Sequence, residues 1–344
     1  MMKKITILGI MLALVAIIYA FPAFAGTDDA LLSRAKQFFG PLPSAMTSPE
    51  NPITPEKVKL GKMLFYEWRI SSDGTVSCNR CHQFNFYATD ALKKSIGVRC
   101  RENPRNSPTV LNAADQIAEH WIGNRKSVED QAKQALLGKA SFGMPSYESV
   151  VKRLGKLGYG PFFKDAFPGE DDPVSMDNFA KAVGAFERTL VTPSPFDAYL
   201  KGNTNALTER QKKGLKTFID TGCMTCHSGT YVGGQMYQKF GIFAPYWKYT
   251  KSGKIDKGRY AVTRNEADRY VFKVPVLRNV EKTAPYFHDG SVDRLEEAVF
   301  IMAKIQLGKT LNKERRDDIV AFLNSLTGEL SDEILKVPLL PAKD

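Results

Sequence analysis

The sequence predicts an all-α protein built from two copies of one helical domain. Three observations predict it. Apolar residues recur at helical spacing in segment after segment, and no long stretch alternates as a strand would. A five-residue pattern, Cys-x-x-Cys-His, occurs twice, at Cys78 and at Cys223. The residues after each copy match again at a constant offset of 167, so that Ser107-Pro108-Thr109-Val110-Leu111-Asn112 answers Val274-Pro275-Val276-Leu277-Arg278-Asn279 and Gly123 answers Gly290.

Composition agrees with a soluble globular chain of two domains: 344 residues, 43% hydrophobic, 25% charged, mean hydropathy −0.27. It excludes disorder, collagen-like repeats and a polytopic membrane protein. The first 25 residues stand apart. Lys3 and Lys4 precede an apolar run from Ile5 to Phe21, and Ala23-Phe24-Ala25 follows, the layout of a secretory signal peptide. The other reading, an uncleaved anchor, asks the run to span a bilayer for which it is short. The predicted division is a signal peptide over 1–25, an N-terminal domain over 26–200 and a C-terminal domain over 201–344, with export to the periplasm. The net charge of +11 is spread along the chain, without a basic block interleaved with aromatics, so no nucleic-acid partner is expected.

Within the first half, Thr54 followed by Pro55 marks a helix start, and helices are predicted over 128–137 and 179–190. Pro, Gly and Asn cluster over 193–205, where the halves join. The capping box Thr208-x-x-Gln211 opens the second half; helices over 292–302 and 317–326 repeat those of the first. The pairs Ala185-Phe186 and Ala321-Phe322 mark the equivalence of the closing helices. The first half carries about eight extra residues before its Cys-x-x-Cys-His, judged from the distance to Phe65 and Phe218.

Cys78-Asn79-Arg80-Cys81-His82 and Cys223-Met224-Thr225-Cys226-His227 are attachment signatures of c-type haem. Two thiols form thioethers with the vinyl groups, and the adjacent imidazole ligates iron. Two copies behind an export signal, in a chain of four histidines, predict two cytochrome-c-like haem domains, with His82 and His227 as iron ligands.

The repeat also exposes an asymmetry. Trp121 stands where the second half has His288, and Ala135 where it has Met302. Met302 is thus the candidate second ligand of the Cys223/Cys226 haem; a His/Met iron is coordinatively full and suits electron transfer. The plainer reading makes Met302 a core residue beside Ala298 and Val299. The first haem has no such partner, and an iron with an empty position is where chemistry occurs. Candidates to fill it are Cys100, His120, Met144 and Tyr87. Cys100 lies between Arg99 and Arg101, whose charge favours a thiolate ligand; it also reads as a small buried side chain.

Over residues 42–330 the sequence resembles the bacterial di-haem cytochrome c peroxidases and, beyond them, the di-haem enzymes of methylamine utilisation. Both Cys-x-x-Cys-His motifs carry the resemblance, with the stretch from Asn103 to Asn112, that from Val274 to Asn279, and Thr283-Ala284-Pro285-Tyr286-Phe287-His288-Asp289-Gly290. The resemblance implies a peroxide-reducing first haem and a His/Met second haem fed by a small donor, a c-type cytochrome or a cupredoxin, in a homodimer. It implies that Met302 is the distal ligand, that Trp121 lies between the haems, and that Gln131 lies near the peroxide. It further implies a calcium ion held by Asn106 and the main-chain carbonyls of Thr283 and Pro285.

Two departures bear on activity. The family's switchable histidine follows Ser-Ile-Gly; here Ser95-Ile96-Gly97 is followed by Val98, which cannot bind iron. The family's glutamate precedes a methionine, where Gly143-Met144 stands here. The first haem is then open at rest or held by Cys100, and a positioned acid–base group worth about 10²–10⁴-fold in rate is missing, with Glu148 the nearest carboxylate. A peroxidase leads the readings. The alternatives are an electron carrier that has lost the peroxidase pocket, an oxidant of other molecules through a stored high-valent state, and a thiolate-bound sensor.

Overall fold

The computed structural model describes residues 27–342; the signal peptide expected over 1–25 lies outside the described residues. The chain is mostly helical. Its only strands among the described residues, Tyr237–Lys239 and Val271–Lys273, form a three-residue antiparallel pair with Gln238 opposite Phe272.

Each half is organised by one crossed helix pair. In the first, Pro55–Tyr66 packs along Met176–Glu187; in the second, Glu209–Thr221 packs along Lys313–Asn324. The start signals act as their chemistry requires. The Thr54 hydroxyl accepts the Lys57 N–H, and Thr208 and Gln211 exchange side-chain and backbone bonds in a capping box. A glycine sits at each crossing. A Cβ on Gly61 would lie 1.9 Å from the Ala182 carbonyl oxygen, and one on Gly214 would lie 1.9 Å from that of Asp318. The two helix axes approach so closely only because no side chain intervenes.

The closing helices begin earlier than apolar periodicity suggests, at Met176 and Lys313, because Ser175 and Asn312 cap them. The helix expected from 292 starts instead at Leu295 and runs to Leu307, since Val292 is paired with Tyr286 in an isolated bridge. The helix expected over 128–137 spans Val128–Ala135.

Two large hydrophobic cores result, accompanied by a smaller cluster of Leu42, Met46, Ala114, Val128 and Tyr231. One is drawn from Leu60 to Leu190, with Ile334 added from near the C-terminus. The other runs from Phe196 to Leu326, with Ile122 from the first half and Leu32, Ala35 and Phe39 added from the N-terminal segment. The chain therefore passes from core to core between 190 and 196, while its ends cross over: Thr27–Lys36 packs with the second core although it precedes the first. Between them lies buried Thr192. Its hydroxyl accepts N–H bonds from Asn112 (2.8 Å) and Asn279 (2.9 Å), the two asparagines related by the offset of 167. Both asparagines are left-handed, at φ 56° and 62°. The repeat thus converges on a single side chain at the joint. Among the described residues no helix is long and apolar enough to cross a membrane.

Candidate haem sites

Each Cys-x-x-Cys-His folds into one tight turn that gathers both sulfurs and the imidazole. The His82 N–H closes on the Cys78 carbonyl, and the His227 N–H on that of Cys223, both at 3.0 Å. No disulfide forms; all five cysteines are free. Burial pushes the attachment thiols up, Cys81 to about 11 and Cys223 to about 12, so they are neutral.

The offset of 167 reappears behind each histidine. The Nδ1 of His82 lies 3.2 Å from the Ala88 carbonyl and also faces that of Pro108. The Nδ1 of His227 faces the Val232 and Pro275 carbonyls, although neither closes on it at hydrogen-bonding geometry. Gly233, at φ +124°, makes room: a Cβ there would be 2.4 Å from the Pro275 oxygen. Burial pushes both imidazoles down, His227 to about 4. A neutral ring whose Nδ1 is turned to a carbonyl presents its other nitrogen to a metal.

The second site opens into a hollow lined by Cys223, Cys226, His227 and Met302. Its walls are largely apolar, with Phe218, Leu295 and Leu323 among them. Two thiols, an oriented neutral imidazole and an apolar slot fit a covalently bound haem. At the first site Cys78 packs against the first core, and the donor set is the same. Met302 projects from the helix Leu295–Leu307 into the hollow. Its repeat counterpart Ala135 ends the helix Val128–Ala135, with Gln131 one turn earlier and half-buried.

The hollow continues past Trp121 to Asn106 and Pro108, joining the halves. Trp121 donates from Nε1 to the Asn106 carbonyl (2.9 Å), and Asn106 donates its N–H to the His288 carbonyl (2.8 Å). The Trp121 and His288 rings meet edge to face, centroids 6.4 Å apart. These repeat partners sit on matching loops, one closed by the Glu119–Arg125 bridge and the other by Tyr286–Val292.

Asn106, Thr283 and Pro285 line this same hollow. The Asn106 amide nitrogen is engaged by the Leu92 carbonyl at 2.9 Å, which leaves its oxygen as a donor. The carbonyls of Thr283 and Pro285 accept no hydrogen bond among the described residues. Three neutral oxygens with room for water suit a hard cation such as calcium.

Two sequence expectations meet a different geometry. Cys100 is exposed, not turned toward the first core. The Val98 N–H is anchored to the Ser141 carbonyl (3.0 Å) and the Arg99 N–H to Asp73 (2.7 Å). That anchoring buries Val98 and turns the thiol outward, so Cys100 does not join the site in this conformation. Glu148 is also exposed, in the first turn of Tyr147–Lys156, and supplies no carboxylate to the interior. Met144 is buried in the first core.

Residue-by-residue reading missed a buried polar group beside Trp121. Glu119 has one oxygen without a partner, and its other oxygen lies 4.0 Å from the ammonium of buried Lys273, which donates to Gln116. Burial pushes the Glu119 carboxyl up to about 7. The repeat was the available signal, since Glu119 answers the uncharged Tyr286.

Comparison with known proteins agrees with this geometry. The profile of the di-haem cytochrome c peroxidase family matches residues 55–205. Cytochrome c551 peroxidase of Pseudomonas aeruginosa is 44% identical over 96% of each chain. That of Nitrosomonas europaea is 43% identical over 85% of this chain and 86% of its own. Among solved structures, a MauG-like protein associated with microbial copper homeostasis superposes with a TM-score of 0.74 at 27% identity, over 86% of this chain and 97% of that one. Duplicated haem-attachment turns, a helical fold of this family and full-length identity above 40% have one reading: the chain belongs to the di-haem cytochrome c peroxidases, a family of oxidoreductases.

Proposed function

We propose that the protein is a periplasmic peroxidase that reduces hydrogen peroxide to water with electrons from a small c-type cytochrome or cupredoxin. The observation that carries the reading is the unequal furnishing of the two sites. Met302 lines the hollow beside His227, while its counterpart in the first half is Ala135 and the residue after Ser95-Ile96-Gly97 is buried Val98. A thioether on one side and methyl groups on the other would leave one bound haem iron saturated and the other open. When bound, the haems supply electron storage and a site for peroxide.

The chain's own residues then divide the work. Cys78, Cys81 and His82 would hold the reacting haem; Cys223, Cys226, His227 and Met302 would hold the one that receives electrons. Trp121, bridged through Asn106 to the backbone of His288, places an aromatic ring between the halves. Gln131 offers an amide on the helix facing the first core, to orient peroxide. Calcium at Asn106, Thr283 and Pro285 would brace the segment that carries Trp121. The homodimer implied by the resemblance is part of this proposal.

The test is stopped-flow mixing of peroxide with the holoprotein and a reduced small cytochrome, together with EPR of the oxidised form. Peroxide-dependent oxidation of the cytochrome with a high-spin ferric signal supports the reading. No turnover above free-haem background would refute it. A second reading, a di-haem electron carrier, is favoured by one observation: Gly143 and exposed Glu148 leave no carboxylate at the position of the family's acid. It predicts two reversible one-electron steps without reaction with peroxide.

A further inference from the structure

We propose that Arg259 is a positioning residue that holds Trp121 in place for electron passage between the two haem sites. The inference rests on the peroxidase reading, which puts Trp121 between the haems, and it names what fixes that ring.

Trp121 lies in the loop closed by the Glu119–Arg125 bridge. Three successive carbonyls of that loop, which belongs to the first half, are taken by donors of the second half. The Lys273 N–H reaches the Trp121 carbonyl at 2.8 Å. The Arg259 guanidinium, through Nη1, reaches the carbonyls of Ile122 at 3.1 Å and Gly123 at 3.3 Å. Ile122 is buried in the second core, so the loop is set into the other half rather than laid against it.

Arg259 is itself held for this task. Its N–H bonds the Val271 carbonyl at 2.7 Å. Gly258, at φ +62°, permits the approach, since a Cβ there would lie 2.3 Å from the same oxygen. The guanidinium stacks on the Tyr237 ring, 4.0 Å from its centroid, and Tyr237 is the strand partner of Lys273. A guanidinium seated on an aromatic face presents its N–H groups in a fixed plane, which a flexible ammonium does not. Gly123, at φ +60°, admits the Tyr237 hydroxyl: a Cβ there would be 1.8 Å from that oxygen.

The repeat shows that this clamp is an addition. Asn106 and Lys273 are related by the offset of 167, as are Trp121 and His288. Their backbone bonds are reciprocal: Asn106 N–H to the His288 carbonyl and Lys273 N–H to the Trp121 carbonyl, both at 2.8 Å. One bond to each loop therefore belongs to the duplicated frame. The Arg259 bonds do not. Asp289 and Gly290 answer Ile122 and Gly123, and no donor takes their carbonyls among the described residues. The extra fixation falls on the loop that carries the tryptophan.

In the step served, one electron leaves the reduced second site, which is oxidised, and arrives at the first, which is reduced; no bond forms or breaks. Its rate depends on the placement of the groups between, and a misplacement of about 1 Å costs about 10²-fold. The indole is tied at Nε1 to the Asn106 carbonyl (2.9 Å), and its backbone to Lys273 and Arg259. Without the Arg259 side chain, two of the three carbonyl anchors are gone.

The test compares the holoprotein with Arg259→Met, Arg259→Lys, Trp121→Phe and the Arg259→Met/Trp121→Phe double variant. A photo-excited ruthenium complex delivers one electron, and its redistribution between the two haems is followed through their optical bands. Deuterium exchange over residues 119–125 and at the Lys273 amide is measured alongside, with both midpoint potentials. Support is redistribution slowed about 10–10²-fold in Arg259→Met, at unchanged midpoints and with faster exchange. The double variant should then be no more than about twofold slower than Trp121→Phe alone, since Arg259 acts through the tryptophan. Arg259→Lys keeps the charge without the planar fork and should be slowed as well, which decides the matter if the methionine variant does not fold. Wild-type rates or unchanged exchange in these variants would overturn the proposal. So would effects that multiply in the double variant, or a midpoint shift that accounts for the slowing. Wild type without peroxide turnover refutes the peroxidase reading, and redistribution and exchange still decide the role of Arg259.

Discussion

Replacing Thr192 with valine preserves shape at the joint between the halves and removes one hydroxyl. Thr192, Asn112 and Asn279 are all fully buried, so no water replaces what is lost. Two amide donors, at 2.8 Å and 2.9 Å in the native protein, are left without acceptors. Each orphaned buried donor costs about 1–3 kcal/mol, hence about 2–6 kcal/mol together. The buried methyl that replaces the hydroxyl returns about 0.8 kcal/mol, leaving a net loss of about 1–5 kcal/mol. Thr192→Ser is the control, since it keeps the acceptor and gives up only a methyl, about 1 kcal/mol. The assay is urea unfolding of the holoprotein, in which the midpoint of Thr192→Val should fall with an unchanged slope. A valine variant no less stable than the serine variant would refute the idea that the repeat is tied together through this oxygen.

Substitution Met302→Ala should open the second iron, lower that haem's midpoint potential and abolish sulfur-ligation features of its optical spectrum; an unaltered spectrum would remove Met302 as ligand. Glu119 makes stability fall with rising pH. Below about 4.5 the carboxyl is protonated in both states, but toward 7 the unfolded chain ionises while the folded one keeps its proton. That difference costs about 3 kcal/mol across the window, and Glu119→Gln should flatten this part of the stability profile. If the variant's profile were as steep as the parent's, Glu119 would not be its source. Gly61→Ala and Gly214→Ala each force a Cβ to 1.9 Å from a carbonyl oxygen, so both should lower the thermal midpoint by the equivalent of ~1–3 kcal/mol or more. Gly155→Ala, where nothing lies within 4 Å, should be neutral or stabilising by ~0.4–1 kcal/mol.

Much of this protein was readable from local pattern because local physics produced it. Cys-x-x-Cys-His is a single turn, and a turn is determined by neighbours in sequence. The same holds for the caps at Thr54 and Thr208, whose partners lie three residues away. Duplication extended that reach. An offset of 167 related Pro108 to Pro275 and Asn112 to Asn279 before any contact was known, and in the fold these pairs serve the two histidines and the joint.

Where periodicity alone was used, helix ends were misplaced, since capping residues such as Ser175 and Asn312 lie outside the apolar repeat. Cys100 shows the deeper limit. Flanking arginines favour a thiolate in any extended chain, yet the side chain's direction follows from anchors at Ser141 and Asp73, distant in sequence. His120 is the converse, unremarkable as a lone histidine until its loop closed and Asn124 took one of its nitrogens. Composition and motif spacing determined the helical class, the repeat and the four attachment cysteines, because those depend on residue type and short-range geometry. Only the tertiary structure decided which side chains face the hollow between the halves, because facing depends on burial and on bonds between segments that sequence holds far apart.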